Sequence, residues 1–565
     1  MTMDRITDKI KKFPIFLGTI WQKGIYPIRP IFLVMGCVLL AFGLSSVYFL
    51  SPLGSNIFVV DLEQEKLQEE QRFLSEKISD GEVQRPNIIL LVADDLGKTD
   101  IPLYGNKWVT TPHLDSLAME GTTFTDAYVT APICSPSRAG LLTGRYQQRF
   151  GYEVQPANRY ARSHFEKWIV DHFADTAPLE FEVPQRVPDA AAIAQQGLPV
   201  GEITLADVLK KNGYETAIIG KWHLGHDKVR QPLSRGFDYH YGFYEAYSWY
   251  ADTTNPEIMN VRHKGIMDSF IWKNGNTGLA AKRRNDQEIQ VKEYYTNALA
   301  KEAVGFIEKN KDKPFFLYVP FSAPHSPFQA LKKEVAGYQE MGVKDLNKAV
   351  YYALISNLDE AIGQIHQKVK ELGLEENTLI IFLSDNGGAT YTQATDNAPL
   401  KGGKMSLYEG GVNVPFVIKW KGHVPAKTVY SKPVSALDIF ATAAAVSSSP
   451  LPNDRGYDGV NLLPYMAGMD TTHPHKILYW RSGYNKAIRK GDWKLVMNQK
   501  DHMTLLYNLR LDKSESANLA EKQPSIVLEL QMDLARWEKT LVTPLWPSVG
   551  FFKNIFDGQI DRFTL

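Results

Sequence analysis

The sequence predicts an α/β fold, a large and mostly parallel central sheet flanked by helices, followed by a smaller C-terminal α+β domain carrying an antiparallel sheet. Three observations carry this. Unbroken apolar runs such as NIILLV at 87–92 and TLIIFLS at 378–384 are what strands buried on both faces of a parallel sheet look like. Long stretches from Glu288 to Asn310 and from Leu346 to Leu372 read as helices of the sort that cover such a sheet. From about His475 the texture changes: ILYWRSGY, KAIRKGDWKLVM and LLYNLR read as short strands separated by turn residues, and an amphipathic helix follows from Ser525 to Leu541.

The 565 residues, 44% hydrophobic and 22% charged, suffice for a large core and more than one domain. Lys plus Arg and Asp plus Glu number 63 each, so no global charge favours nucleic acid, and any basic site for an acidic substrate is local. Two cysteines, Cys37 and Cys134, make no disulfide framework.

The N-terminus comes first in chain order. Residues 31–50, IFLVMGCVLLAFGLSSVYFL, carry no charge and at about 1.5 Å per residue match the roughly 30 Å hydrocarbon core of a bilayer. Basic residues Arg5, Lys9, Lys11, Lys12, Lys23 and Arg29 precede the run, and the next one after it is Lys66, which keeps 1–30 cytoplasmic and exports the rest. A signal anchor is favoured over a cleaved signal peptide, because the leader is long and no clear small-x-small site follows; cleavage would leave a secreted protein. Met35 before Gly36-Cys37, and the apolar run beyond, argue against lipid attachment. Residues 51–84 form a charged linker in which Leu62 to Asp80 reads as a solvated helical stalk. The main body is placed at 85–465 and the C-terminal subdomain with its tail at 466–565.

Within the body, strand 87–92 ends at Ala93-Asp94-Asp95, and strand 378–384 ends at Asp385-Asn386-Gly387-Gly388. Ligands of open α/β sheets sit beyond the carboxyl ends of strands. Three carboxylates and an amide, with no histidine or thiolate in either pair, suit Ca²⁺, or Mg²⁺, better than Zn²⁺. Taken alone, Asp94-Asp95 would read as a helix N-cap and a turn in preference to a cation site; the second pair at 385–386 shifts the reading. Cys134 stands early in APICSPSRAGLLTGRY, with Pro136 and Arg138 behind it, which places it at the mouth of a short helix where free N–H groups favour negative charge.

Further on, Thr204 to Lys211 reads as a helix and Glu215 to Ile219 as a strand, and Lys221 and His223 in GKWHLG stand two apart, on one side of an extended segment. A lone histidine beside tryptophan is more often a packed, hydrogen-bonded structural residue than a catalytic one. The strand 314–320, PFFLYVP, leads to His325, which two prolines mount rigidly. Lys404 sits among Gly402, Gly403, Gly410 and Gly411, a pattern of close backbone approach or of a solvated surface loop. His226, Arg230, Arg235, Asp238 and His240 receive no role.

Cys134-Ser135-Pro136-Ser137-Arg138 continued by LLTGR resembles the signature of the formylglycine-dependent sulfatases, a family of the alkaline-phosphatase superfamily, and GKWHLG and both acidic strand ends match its motifs. The likeness runs from about Arg85 to Leu541, leaving the tail PLWPSVGFFKNIFDGQIDRFTL without a counterpart. It implies an alkaline-phosphatase-like fold and a sulfatase whose Cys134 a maturase oxidises to formylglycine (3-oxoalanine). It also implies a divalent cation held by Asp94, Asp95, Asp385, Asn386 and the matured residue, with Lys221, Lys404 and Arg138 on the sulfate. His325 would protonate the leaving alcohol, His223 would take the proton whose loss releases sulfate, and Lys221, His325 and Lys404 would bind substrate. The expected substrate is a sulfated carbohydrate. A phosphatase or phosphodiesterase on the same fold would need further His and Asp ligands; a glycan-binding relative with unoxidised Cys134, or a phosphoethanolamine transferase with a threonine nucleophile, are the other readings.

Overall fold

The computed structural model describes residues 85–564, apart from 157–159, 175, 177–178, 184–185, 265 and 557–558, together with 43, 49–51, 55–56 and 64–76. Most of the segment 31–50, including Cys37, lies outside the described residues; among these, no helix is long and apolar enough to cross a membrane.

The unbroken apolar runs form the centre of a ten-stranded sheet. In chain order its strands are β1 (Asn87–Asp94), β2 (Thr122–Phe124), β3 (Glu215–Lys221), β4 (Tyr239–Phe243), β5 (Arg283–Arg284), β6 (Gln287–Glu288), β7 (Phe315–Pro324), β8 (Thr378–Ser384), β9 (Phe416–Lys419) and β10 (Thr428–Tyr430). Their spatial order is β6-β5-β4-β3-β7-β1-β8-β9-β2-β10. The five neighbours β4-β3-β7-β1-β8 are mutually parallel, while β5, β6 and β9 introduce antiparallel pairs on the two flanks. Side chains alternate faces along a strand, so Ile88, Leu90 and Val92 of β1 enter one apolar core and Ile89, Leu91 and Ala93 the other. Both faces are covered, which explains why these strands show no polar alternation.

Among the helices of the described residues are α1 (Gln64–Ser75), α2 (Cys134–Thr143), α3 (His164–Phe173), α4 (Leu205–Lys211), α5 (Tyr295–Lys309), α6 (Leu346–Glu371) and α7 (Pro524–Glu538). Helix α4 begins where Thr204 and Asp207 cap one another's backbone, and α6 where Asp345 accepts the N–H groups of Asn347 and Lys348. Helix α5 starts at Tyr295, seven residues later than its expected start at Glu288. Glu288 belongs instead to edge strand β6, where it pairs with Arg283 across the ladder and through a 2.8 Å ion pair. The stalk is helical over α1 but is not a free spacer: Phe73 is buried in the core, and the Lys211 ammonium lies 3.6 Å from its ring centroid.

After the body, β11 (Ile477–Ser482), β12 (Asn485–Lys490), β13 (Trp493–Asn498) and β14 (Met503–Asn508) form a four-stranded antiparallel meander, with α7 following. The tail adds a hairpin, β15 (Gly550–Phe556) and β16 (Gln559–Thr564), whose first strand pairs with Leu179–Phe181 of the body. Tyr408, next to the glycine pair of the Lys404 loop, donates its hydroxyl to Asp561 of this hairpin at 2.7 Å.

Candidate active site

Four adjacent parallel strands, in the order β3-β7-β1-β8, end at one edge of the sheet. Pro324 of β7 lies opposite Asp94, and Ser384 of β8 opposite Ala93, so this register brings four segments of distant sequence to one place: Lys221 to His223, His325, Asp94-Asp95 and Asp385-Asn386. At Asp95 and His223 the backbone turns off its strand with φ of 63° and 57°. Left-handed backbone at a residue other than glycine is held by its surroundings; the Tyr351 hydroxyl of α6 donates to the Asp95 carbonyl at 3.2 Å, and Ser135 Oγ to the His223 carbonyl at 2.5 Å. The segment is therefore not extended at His223, in contrast to what the spacing of Lys221 and His223 suggests.

Helix α2 aims its N-terminus at this edge. Cys134 Sγ lies 3.3 Å from Asp94 Oδ1 and 3.8 Å from Asp95 Oδ1, and the whole helix is buried. Burial and the adjacent Asp94 push the Cys134 thiol well above its usual range. It is a protonated thiol and, unmodified, a poor nucleophile. One turn along, Arg138 grips Asp385 Oδ2 through Nε at 2.8 Å and Nη2 at 2.7 Å, and donates Nη1 to the Lys221 carbonyl at 3.1 Å.

The basic side chains meet the carboxylates directly. Lys221 Nζ is 2.7 Å from Asp94 Oδ2, and Lys404 Nζ is 2.8 Å and 2.9 Å from the two oxygens of Asp95. His325 Nε2 stands 3.6 Å from Asp95 Oδ2, with its Nδ1 2.5 Å from the Ser326 carbonyl. Burial opposes the charge on Asp94, but Lys221, His325 and Arg138 together hold its carboxyl well below the carboxylate range. Burial and the nearby Asp94 push Asp385 up to about 6. Burial and Lys404 pull His325 down to about 4, and burial with Lys221 and Arg138 pulls His223 well below the histidine range. All ten residues singled out in the sequence thus converge.

The site can be tested for a metal by its donors. Ligand atoms of Asp94, Asp95, Cys134 and His325 all lie within 4.8 Å of one another. Asn386 donates its amide N–H to Asp95 Oδ1 at 2.8 Å, and its Oδ1 is buried with no partner. An orphaned amide oxygen beside two carboxylates is a donor set for a hard cation. Asp385 Oδ2 is turned to Arg138, and its Oδ1 accepts the Asp95 N–H at 3.3 Å.

Around the lysine loop, a Cβ on Gly403 would stand 2.4 Å from the Gly388 carbonyl oxygen, and one on Gly411 2.0 Å from that of Ser406, which is the close approach the glycine pattern indicates. Sequence reasoning missed Tyr250, whose hydroxyl reaches the carbonyls of Ser322 and His325 at 2.7 and 2.8 Å, and Ser135, which also bonds Tyr152 at 2.7 Å. Lone tyrosines and serines carry no spacing signal that could have revealed them. Of the residues given no role, Arg235 bonds backbone carbonyls and Asp238 accepts from Thr216, so these two are structural.

Comparison with known proteins bears on this geometry. A family model described as Sulfatase matches residues 86–448. N-acetylgalactosamine-6-sulfatase of Canis lupus familiaris is 32% identical over 423 residues, covering 73% of this chain and 72% of that protein. N-acetylgalactosamine-6-O-sulfatase of Bacteroides thetaiotaomicron is 29% identical over 521 residues, covering 79% of this chain and 92% of its own length. Among solved structures, Ps i-CgsB in complex with k-i-k-neocarrahexaose superposes with a TM-score of 0.68 at 32% identity, over 82% of this chain and 95% of that one.

Proposed function

The chain belongs to the sulfatase family and is a sulfuric ester hydrolase of alkaline-phosphatase-like fold, and we propose that it removes sulfate from a carbohydrate at the edge where Cys134 meets Asp94 and Asp95. The observation that carries this is the buried Cys134 side chain at a helix mouth, 3.3 Å from Asp94 Oδ1, with Lys221, Lys404 and Arg138 around it.

Sulfatases typically use a formylglycine and a divalent metal. Here Asp94, Asp95, Asn386 and Asp385 would hold the cation, proposed as Ca²⁺, and a maturase would convert Cys134. When present, the two groups supply a hydrated aldehyde as nucleophile and Lewis-acid polarisation of the sulfate. The chain's own residues do the remaining work. Lys221 and Lys404, buried and fixed on adjacent carboxylates, offer positive charge to the sulfate oxygens, so little reorganisation is needed as charge shifts. Arg138 holds Asp385 in place. His325 presents Nε2 to the site while Nδ1 donates to the Ser326 carbonyl, which fixes the ring; Nε2 delivers a proton to a departing alkoxide from the imidazolium form, which the negative charge of a bound sulfate would favour against burial and Lys404. His223, with a buried and unpartnered Nδ1, is placed to take a proton.

A carbohydrate substrate is supported by the names of the relatives, two of which act on N-acetylgalactosamine sulfate, and by a structural neighbour bound to a neocarrahexaose. The phosphatase, transferase and non-catalytic readings find no support in these matches. We also propose that 31–50 anchors the exported body in a membrane, on the strength of its uncharged sequence and the basic residues before it. Sulfate release from N-acetylgalactosamine 6-sulfate and from sulfated neocarra-oligosaccharides, by protein co-produced with a maturase, tests the main reading. Phosphate-ester turnover with no sulfate release from any sulfated sugar or aryl sulfate would refute it.

A further inference from the structure

Helix α3 is built inside out. None of its residues is buried. Phe165, Trp168, Ile169 and Phe173, spaced so as to share one helical face, are 38, 40, 40 and 77% exposed. Their rings form a continuous outer surface: Phe165 stacks on Trp168 at 6.0 Å between centroids, and Trp168 meets Phe173 edge-on at 5.8 Å. In water an amphipathic helix turns such a face inward; an exposed apolar patch rich in aromatics marks a contact surface.

The same helix lies beside the end of the apolar run 31–50. Phe49, second to last in that run, packs edge-on against Phe165 with centroids 5.7 Å apart, and the next residue, Leu50, is 58% exposed. Just beyond, Ser55 and Asn56 pair in parallel with Val187 and Pro188, which seats the chain leaving the run on the same part of the body. The apolar face of α3 and the apolar run are therefore adjoining surfaces.

We propose that α3 docks on the membrane surface, its aromatic face inserted among lipid headgroups where the run 31–50 leaves the bilayer. This rests on the reading of that run as a membrane segment. Tryptophan and phenylalanine on one face suit the interface, where an apolar body is buried and a polar edge stays wet. The remainder of the helix carries Glu166, Lys167 and Asp171 with His164 and His172, and Lys167 pairs with Asp171, so there is no cationic excess to require anionic lipid. Docking is apolar in origin and insensitive to salt.

The test uses the full chain carrying Cys37→Ala and Phe173→Cys, labelled at 173 with an environment-sensitive fluorophore; Cys134 is 1% exposed and shielded from label. The protein is reconstituted into phosphatidylcholine vesicles containing spin-labelled lipid, with Leu511→Cys, 79% exposed elsewhere on the molecule, as the matched control. The expected result is a blue-shifted probe at 173 that the lipid quenches equally at low and high salt, and a probe at 511 that is neither shifted nor quenched. A water-like, unquenched probe at 173 overturns the proposal, as does a blue shift that appears only at high protein concentration without lipid quenching, the signature of a second copy. Alkaline carbonate extraction reads the anchor separately: protein retained in the vesicles with a silent probe at 173 removes α3 docking and leaves the anchor standing.

Discussion

Lys221, Lys404 and His325 illustrate what single residues do here. Each lies against a carboxylate of β1 or its end, and each is expected to act on substrate through charge or proton position. Replacing Lys404 with alanine should lower kcat by about 10²–10³-fold, the size of a lost preorganised donor. His325→Ala should cost about 10²–10⁴-fold on a sugar sulfate, and much less on an aryl sulfate whose phenolate leaves without a proton. Equal losses on both substrates, read from kcat with the two esters, would remove His325 from proton delivery. At this scale the sequence was informative wherever a residue sat at a strand end or in a dense motif. It was silent about Tyr250 and Ser135, because they act by bonding backbone carbonyls from afar, and that depends on the fold rather than on neighbours in sequence.

Strands and helices explain why those residues meet. The apolar runs revealed β1, β7 and β8 because both faces of a parallel sheet are buried, and the strand ends then located the acidic pairs. Boundaries set by tertiary pairing were less visible: α5 is shortened by edge strand β6, and α1 is docked through Phe73 rather than free. Helix α6 and the helix Lys332–Glu340 packed on it carry a pH signature. Asn357 of α6 approaches Glu334 at 3.5 Å, the other Glu334 oxygen is buried without a partner, and burial pushes this carboxyl up from 4.5 to about 7. Between those values the folded protein holds a proton that the unfolded chain has lost. The associated stability is present below about 4.5 and disappears as pH rises through about 7. Glu334→Gln should therefore gain Tm relative to the parent between pH 5 and pH 8, measured by thermal melts, and an unchanged difference across that interval would contradict the assignment.

At the scale of the whole molecule, the C-terminal meander is bound to the body by buried charge. Lys494 of β13 contacts Glu409 at 2.8 Å and Glu515 at 3.0 Å, all three essentially inaccessible, and Arg489 of β12 reaches Tyr128 in the body. Breaking one partner of a buried pair leaves an uncompensated charge, so Lys494→Met should destabilise the fold by about 3–5 kcal/mol in denaturant titration. A loss near zero would mean the meander is held by its apolar contacts alone. The motifs disclosed the body and the strand texture disclosed the meander. The tail hairpin stayed hidden, since its ordering depends on Leu179–Phe181 and on Asp561 accepting from Tyr408, partners far away in sequence.

The whole mechanism turns on Cys134 being a precursor and not itself the nucleophile. Peptide mass spectrometry across Cys134, on protein made with and without a formylglycine-generating maturase, tests this most directly. The expected result is a mass deficit matching aldehyde in place of thiol, accompanied by sulfate release, only when the maturase is present. A peptide that remains a thiol in protein that nonetheless releases sulfate would contradict it.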